Sequence, residues 1–485
     1  MEKSRRNFIK KAATLGLVAN ISPLLTFANK FADKYPSNRP IESQRTFVSK
    51  AVEHKIKSVS SLIYDHKLAW MFSNCYPNTL DTTVMKHNSD EKNLDTYIIT
   101  GDIDAMWLRD STAQVWPYLP LTGKDKALKN IIKGLINRQL TYVLADPYTN
   151  AFLEKEAYSY WRTKDNTQNM DNEIIHERKW EIDSLCYVVR LIDGYYKHTK
   201  DTSVFDEKWD SAMRLIVKTF REQQRKHNNG PYSFTRETDN SIESCPGFGW
   251  GNPIIPNGLI CSNFRPSDDA TNLLFLIPSN YFAATSLGQM SEQYKTIYKN
   301  KEMSEKCLSF SEEVKNALNQ ESKFIHPKTK KEIIAYEVDG FGNSLFMDDA
   351  NIPSLLSLPY LGCLSKNDPI YKNTREFILS KYNPYFEKYG LLEGGGSPHT
   401  GKGKFWPMSV TIRALTSSDK EEIRKCLKIL VNSDDGTGFM HEAVSISNPK
   451  YFTRSWFAWA NTLFGELIIN VGNKYPELLK ENYVQ

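Results

Sequence analysis

Cysteine is scarce in this sequence and follows no pattern. The 485 residues contain seven Cys, an odd number, and no two of them form a C-x-x-C pair. Structural zinc sites and disulfide frameworks depend on closely spaced or evenly paired cysteines, so this spacing argues against both. Cys245 and Cys261 flank one loop, where two free thiols are expected rather than a disulfide. We therefore predict neither a zinc site nor a disulfide framework.

A strong charge of one sign and the common cofactor motifs are also lacking. The formal net charge is only +5, and no block of Lys and Arg alternates with aromatic residues, so no nucleic-acid partner is expected. The sequence contains no P-loop, no H-E-x-x-H and no serine-nucleophile elbow. No G-x-G-x-x-G follows a strand pattern, which argues against a nicotinamide or flavin enzyme. We expect no cofactor.

A long apolar run is found only near the N-terminus. There Arg5 and Arg6 precede Phe8, and a short apolar stretch interrupted by Asn and Pro follows. This pattern predicts a twin-arginine signal peptide, with export to the periplasm, rather than a membrane-spanning helix. The alternatives are an uncleaved anchor and a basic cytosolic arm. The resulting division is a signal peptide over 1–28, a linker over 29–46 and one folded domain over 47–485, expected to be a monomer without a membrane span.

Helical periodicity dominates the rest of the chain. Hydrophobic residues make up 40% and aromatic residues 12%, which is enough for a large core. Strand-like alternation is scarce, and 333–336 is the best short example. We predict an all-α fold in which roughly a dozen helices form a ring of antiparallel hairpins, with long loops gathered at one end. The predicted helices include 48–73, 123–143, 182–196, 205–220, 278–299, 301–319, 367–381, 418–432 and 456–467.

The segment 100–111, T-G-D-I-D-A-M-W-L-R-D-S, is the most informative stretch. Carboxylates accept hydrogen bonds from neighbouring sugar hydroxyls, a guanidinium donates in a fixed fork, and an indole covers the apolar face of a pyranose. The chemistry is that of a sugar subsite. The alternative is a buried Arg–Asp pair that only locks a loop. The candidate residues are Asp102, Asp104, Trp107, Arg109 and Asp110.

Further polar and aromatic clusters lie in other loops. Glu177 and Glu181 are four residues apart on one helical face, although acids in a first helical turn are also ordinary. Ser267 precedes an Asp pair, which is equally typical of simple helix capping. A glycine-rich loop and a His-Glu pair follow later in the chain. These loops together favour a carbohydrate pocket in which two carboxylates share acid and base roles. Their candidate residues are Arg265, Asp268, Asp269, His399, Trp406, His441 and Glu442.

These motifs resemble glycoside hydrolase family 125, a family of exo-acting α-1,6-mannosidases. The resemblance rests on 100–111 together with H-E-R-K-W-E-I-D-S-L-C, F-R-P-S-D-D-A, Y-E-V-D-G-F-G-N, M-D-D-A-N-I-P-S-L-L and M-H-E, and it covers nearly all of the chain beyond residue 45. It implies an (α/α)6 barrel, inversion of the anomeric configuration and no metal requirement. The implied substrates are α-mannan or mannooligosaccharides derived from N-glycans.

The resemblance also implies roles for particular residues. The general acid falls on Asp268 or Asp269, with Asp269 preferred, and the base falls on Glu442. Arg109 and Asp110 match the element that grips the non-reducing sugar. Two other functions stay open: another helical-barrel exo-glycosidase such as a glucosidase, and a non-catalytic glycan-binding surface protein.

Overall fold

The structure, a computed structural model, describes residues 35–155 and 159–484. The stretch Asn38–Gln485 forms one compact unit, separate from Met1–Ser37. The predicted signal peptide therefore lies outside the described residues. In the part of the chain that is described, no helix combines the length and apolar character needed to cross a membrane.

Helices are the main secondary structure of the unit, as predicted. They are α1 (Lys50–Ser60), α2 (His66–Cys75), α3 (Asn78–Thr82), α4 (Leu108–Val115), α5 (Lys126–Ala145), α6 (Ile182–Thr199), α7 (Glu207–Gln223), α8 (Ile277–Gln293), α9 (Lys301–Glu321), α10 (Pro369–Ile378), α11 (Pro407–Leu415), α12 (Lys420–Val431) and α13 (Ala458–Lys474).

Two helical predictions need correction. The predicted helix over 48–73 is two helices, because Asp65 accepts hydrogen bonds from the amides of Lys67 and Leu68 and so caps the start of a new helix. The five-residue helix α3 was not predicted, and neither was α11, seven of whose nine residues are buried. Pro407 begins it, at the position where proline costs no hydrogen bond.

Five helices form a continuous series of contacts in the order α8, α6, α4, α13 and α11. Helix α6 packs against α4 on one side and α8 on the other, while α13 packs against α4 and α11. Helix α5 packs against α6, α9 against α8 and α12 against α11, while α7 packs against α5. Between α8 and α11 in sequence, the segment 352–364 contains no helix, yet it reaches both sides of the group. Tyr187 of α6 donates to the carbonyl of Ile352, and Tyr360 donates to Glu466 of α13.

The fold is rich in helices, but it contains more short antiparallel strands than the all-α prediction allowed. They are β1 (Val84–Asn88), β2 (Asp95–Ile98), β3 (Met106–Trp107), β4 (Ala151–Phe152), β5 (Asp165–Thr167), β6 (Ile175–Glu177), β7 (Phe234–Arg236), β8 (Phe275–Leu276), β9 (Lys323–Ile325), β10 (Glu332–Ile334), β11 (Glu337–Val338), β12 (Ser344–Leu345), β13 (Phe386–Tyr389), β14 (Leu392–Gly395), β15 (Lys404–Phe405) and β16 (Val444–Ser445). Strands of two to five residues are too short to show clear alternation in sequence. The anticipated short strand near 333 is confirmed as β10.

The small sheets pair as β1–β2, β9–β10, β5–β7, β13–β14 and β15–β16, with two three-stranded sheets in the orders β3–β4–β6 and β12–β11–β8. Several strands immediately precede a central helix. Strand β3 runs into α4, β8 into α8, and β15 ends two residues before α11. A bridge between Gly101 and Phe457 stands directly before α13. The sheets thus hold together the loops that enter the N-terminal ends of the central helices.

Candidate active site

A cavity of about 400 Å³ lies among the N-terminal ends of the central helices. Arg109 and Asp110 come from the first turn of α4, and Trp459 from the start of α13. Helix N-termini carry partial positive charge, which favours carboxylates in such a place. The lining residues are Thr100, Ile103, Trp107, Arg109, Asp110, Tyr160, Trp161, His176, Glu177, Lys179, Arg236, Glu243, Pro266, Ser267, Asp268, Asn351, His399, Trp406, Glu442, Arg454, Phe457 and Trp459.

Arg109 is the central cation of this cavity. Its Nη1 lies 2.5 Å from Glu181 Oε2 and 3.2 Å from Asp183 Oδ2. Its Nη2 lies 3.3 Å from Asp268 Oδ1, and its Nε lies 3.4 Å from Asp110 Oδ2. Burial raises the pKa of Asp110 to about 6, although Arg109 opposes the rise. The guanidinium therefore stabilises the loop through buried ion pairs, and it also forms part of the cavity wall. Both interpretations of the 100–111 segment thus apply to Arg109.

The two adjacent aspartates face different ways. Asp268 lines the cavity, and its side chain keeps 25% of its surface exposed. Its backbone is left-handed, with φ of 67°, a conformation that Asp tolerates better than most residues. Asp269 is fully buried outside the lining. Its Oδ1 lies 2.8 Å from Nδ1 of His399.

His399 connects the buried Asp269 to the cavity. Burial lowers the pKa of the imidazole, but the hydrogen bond and negative charge of Asp269 outweigh burial and raise it to about 9. His399 is therefore a cation at neutral pH. Trp406 lies beside it, with the ring centroids 6.5 Å apart, and is oriented by a hydrogen bond from its Nε1 to Thr400.

Glu442 lines the cavity with a side chain that is almost fully buried. Its Oε2 accepts a hydrogen bond of 2.9 Å from Thr453, and its Oε1 lies 3.5 Å from Nη1 of Arg454. Arg454 also donates to Asp102 Oδ1 at 2.6 Å. The 100–111 loop is thereby tied to the loop that carries Glu442.

Besides Asp269, four predicted site residues lie outside the cavity lining. Asp102 pairs with Arg454, and Asp104 lies in an exposed part of its loop. Arg265 is buried with its Nε 2.6 Å from Glu337, so it holds strand β11 against the loop before α8. His441 is buried, stacks on Phe452 at 3.6 Å and lies within hydrogen-bond distance of Thr437. Neighbouring residues bury the side chains of His441 and Arg265, so neither exposes a surface that a sugar could contact.

Sequence reasoning missed most of one wall of the cavity. Tyr160 and Trp161 belong to it, and Arg236 places its guanidinium 3.7 Å from the centre of the Trp161 ring. Arg236 also binds Glu177 and Glu243. These residues lie in segments far apart in sequence without a local motif. Only Glu177 stood in a cluster that the sequence had marked.

Lysine and arginine side chains neutralise the negative charge of the carboxylates in the cavity. Lys179 Nζ lies 2.7 Å from Glu243 and 3.3 Å from Glu177, and Arg109 binds four further carboxylates. Among the residues described, no group of three or more His, Cys, Asp or Glu side chains is arranged to hold a metal ion. All seven Cys are free thiols, including Cys245 and Cys261.

A cavity with carboxylates on separate loops, a guanidinium fork and tryptophan walls is the site of a carbohydrate-active enzyme. Comparison with known proteins agrees. Residues 65–469 match the family described as metal-independent α-mannosidases, glycoside hydrolase family 125. The chain belongs to this family, which makes it a glycoside hydrolase of the α-mannosidase type.

Individual relatives cover nearly the whole chain. A Streptococcus pneumoniae metal-independent α-mannosidase, solved as a non-productive substrate complex with α-1,6-mannobiose, is 38% identical with a TM-score of 0.84 over 88% of this chain and 100% of that one. The meiotically up-regulated gene 157 protein of Schizosaccharomyces pombe (strain 972 / ATCC 24843) is 42% identical over 93% of this chain and 91% of its own. A bacterial glucoamylase complexed with acarbose shares the fold alone, with 11% identity and a TM-score of 0.52 over 90% of this chain and 59% of that one.

Proposed function

We propose that this protein is an inverting, exo-acting α-1,6-mannosidase that releases mannose from the non-reducing end of mannooligosaccharides. The observation that carries the proposal is the presence of Asp268 and Glu442, from different loops, in the lining of one cavity. An inverting glycosidase needs one carboxyl to protonate the leaving oxygen and another to activate water on the opposite face of the sugar.

The roles follow from the surroundings of each carboxyl. Asp268 is the general acid, because it faces the cavity whereas Asp269 is buried. The sequence analysis preferred Asp269 as the general acid, and we now assign that role to Asp268. Glu442 is the general base, held by Thr453 and Arg454 so that one oxygen can accept a proton from water. Asp269 instead keeps His399 charged and in place.

The size of the cavity supports action at a chain end. About 400 Å³ is at the low end of the range for small-molecule pockets and suits a short saccharide rather than a long polymer strand. Trp107 and Trp406 supply apolar faces, and Arg109 with Asp110 supplies donors and acceptors for hydroxyls. The α-1,6 linkage is carried over from the mannobiose bound to the S. pneumoniae relative.

We further propose that the helices form an (α/α)6 barrel. The contacts among α4, α6, α8, α11 and α13, together with the helices that pack against them, support a closed double ring. The non-helical segment 352–364, which reaches both α6 and α13, takes the place of one inner helix. The catalytic domain is assigned to 47–485, and Arg39 and Arg45 hold the preceding residues to it through Glu53 and Asp81.

A substrate panel tests the function. Purified protein should release mannose from α-1,6-mannobiose faster than from the α-1,2 and α-1,3 isomers, and should leave α-1,6-linked glucobiose intact. A mannotriose labelled at its reducing end should lose one sugar at a time from the unlabelled end. Glu442→Gln serves as the control for contaminating activity. Preference for the glucoside would indicate a glucosidase, and binding without any turnover would indicate a glycan-binding protein.

Export is a separate proposal, and it rests on Arg5, Arg6 and the apolar stretch that follows them. We propose that residues 1–28 direct the folded enzyme through the twin-arginine route into the periplasm, where it acts as a monomer. Replacing both arginines by lysine should leave the activity in the cytoplasm of a host with that route. Unchanged periplasmic activity in the double variant would contradict the proposal.

A further inference from the structure

Two carboxyl groups at the cavity, on Asp268 and Glu181, are held by the same two donors. Arg109 reaches Glu181 with Nη1 and Asp268 with Nη2. The amide Nδ2 of Asn150 lies 3.2 Å from Asp268 Oδ1 and 3.5 Å from Glu181 Oε1. The Glu181 side chain is fully buried, whereas Asp268 opens to the cavity. Glu181 therefore stands directly behind the proposed acid.

Because a single atom, Asn150 Nδ2, contacts an oxygen of each carboxyl, and Arg109 also contacts both, the two carboxyl groups lie next to each other. Two ionised carboxylates that share donors in this way repel each other, and a single proton shared between them relieves the repulsion. Burial, reinforced by the charges of Asp268 and Asp183, raises the pKa of Glu181 well above its usual value. Burial opposes ionisation of Asp268 too, but Arg109 and the hydrogen bond from Glu181 outweigh it and hold the pKa of Asp268 below its usual range. These opposite directions favour Glu181 over Asp268 as the carrier of the shared proton at rest.

We propose that Glu181 is a positioning residue that stores the catalytic proton and delivers it to Asp268. The inference rests on the proposed function, in which Asp268 protonates the leaving oxygen. It answers a problem that the site poses, because Arg109 alone would keep Asp268 ionised and useless as an acid at neutral pH. A buried carboxyl that shares one proton with Asp268 can protonate it while Arg109 stays bound to both groups.

The proton balance of one turnover is closed. The shared proton moves from Glu181 to Asp268 as substrate binds, and from Asp268 to the glycosidic oxygen as the bond from the anomeric carbon to that oxygen breaks. Water attacks the anomeric carbon while Glu442 takes one proton from it. Glu442 then returns its proton to solvent, and the Asp268–Glu181 pair regains one from solvent. The net reaction consumes one water.

Other charged groups face the pair from every neighbouring element. Arg109 and Asp110 come from α4, Asp183 from α6, and His176, Glu177 and Lys179 from the segment before α6, while His399 approaches from the glycine-rich loop. Glu177 and Lys179 compensate each other at 3.3 Å, and His399 is engaged by Asp269. Arg109 contacts both carboxyl groups and stays charged. A change in charge at this site is therefore met by a shift of the shared proton between Glu181 and Asp268.

Glu181→Gln tests the inference. The amide keeps the shape of Glu181 but holds no exchangeable acid proton, and it donates to the Asp268 carboxylate, which lowers the pKa of Asp268 further. The basic limb of the pH profile of kcat/KM on α-1,6-mannobiose should move down by about one pH unit or more. Turnover at pH 7 should fall by about 10²-fold, and a dinitrophenyl mannoside, whose leaving group needs little protonation, should lose far less.

Two variants and one spectroscopic measurement make this decisive. Glu181→Asp keeps a carboxyl and should retain the wild-type basic limb at a reduced kcat. Glu466→Gln is the matched control, because Glu466 is also a buried carboxyl, with a pKa raised to about 7 by burial, but binds Tyr360 outside the cavity. It should leave the profile unchanged. On Glu442→Gln enzyme at pH 7, adding α-1,6-mannobiose should shift an infrared band of a protonated carboxyl.

The outcomes separate the inference from the function beneath it. If the wild type hydrolyses no mannoside, the proposed function fails. If it does, and Glu181→Gln keeps the wild-type basic limb or loses both substrates equally, only the inference is overturned. Should Glu181→Gln not fold, the infrared measurement decides alone, and the absence of any ligand-sensitive protonated carboxyl would overturn the proton store.

Discussion

Asp268 and Asp269 are neighbours in sequence but serve different surroundings. The left-handed backbone at Asp268 turns its carboxyl into the cavity, and the next residue points back into the protein toward His399. Strained backbone of this kind is commonly found at functional sites, where surrounding contacts hold it. The sequence marked both residues, but no local pattern states which of two adjacent side chains faces a cavity.

Substitution of each aspartate separates their roles. Asp268→Asn should reduce turnover of α-1,6-mannobiose by about 10²- to 10⁴-fold, while sparing a dinitrophenyl mannoside, because only the proton donor is lost. Asp269→Asn should reduce both activities to a similar and smaller degree. Steady-state kinetics on the two substrates measures this. Leaving-group dependence in Asp269→Asn alone would return the acid role to Asp269.

The charge on His399 gives a second test at this scale. Its pKa of about 9 depends mainly on Asp269, so in Asp269→Asn the imidazole should titrate below its wild-type value, because only the smaller contributions from the charges of Glu442 and Asp268 then oppose burial. Nitrogen-detected NMR of labelled imidazoles measures the shift. His441, which does not contact Asp269, is the internal control, and an unchanged His399 titration would refute the assignment.

The same ion pair links stability to pH. Because the pKa of His399 is higher in the folded protein than in the unfolded chain, its ion pair with Asp269 stabilises the folded state fully below about pH 6.5. This contribution to stability is lost as the pH rises through about 9. The difference in Tm between wild type and Asp269→Asn should therefore shrink between pH 6.5 and pH 10. A constant difference across this range would show that His399 is not the group involved.

At the scale of elements, the site depends on how loops enter the central helices. The 100–111 loop is joined to the chain before α13 by a bridge from Gly101 to Phe457 and by the bond from the Asp102 amide to the Trp456 carbonyl. This contact brings Arg454 to Glu442 from one side and to Asp102 from the other. A local change at the bridge should therefore be felt at the proposed base.

Gly101 provides that change. Its φ is 134°, and a Cβ built on it would lie 2.3 Å from the carbonyl oxygen of Trp456. Gly101→Ala should cost at least about 1–3 kcal/mol of stability from backbone strain and should lower activity by shifting the Glu442 loop. Gly123→Ala is the control, since nothing lies near its Cβ, and its effect should stay within about 0.5 kcal/mol. Equal melting temperatures for the two variants would contradict the role of the bridge.

Long amphipathic helices were predictable because their apolar stripes repeat many times. The helices α5, α6, α7, α9 and α12 all lie where the periodicity placed them. Buried or short elements carry no such repeat, which is why α11 and the two-residue strands were missed. The site divides in the same way. Carboxylates within dense motifs, such as Glu442, could be found, whereas Trp161 and Arg454 join the cavity only through contacts between distant segments.

For the whole molecule, the charges around the cavity favour catalysis without a metal. Arg109, Lys179 and Arg236 neutralise the carboxylates that would otherwise attract a cation, in agreement with the metal-independent description of the family. Treatment with a strong chelator should leave kcat/KM on α-1,6-mannobiose unchanged. A large loss that added calcium restores would show that a metal takes part.

The anomeric form of the first product tests the central claim most directly. Inversion at an α-mannoside through Asp268 and Glu442, with a water between the sugar and the base, yields β-mannose before mutarotation mixes the anomers. Proton NMR during the first minutes of α-1,6-mannobiose hydrolysis distinguishes the two anomeric protons. The account predicts that β-mannose is detected first. Initial release of α-mannose would mean retention through a covalent intermediate, and would contradict the role of Glu442 as a base that activates water.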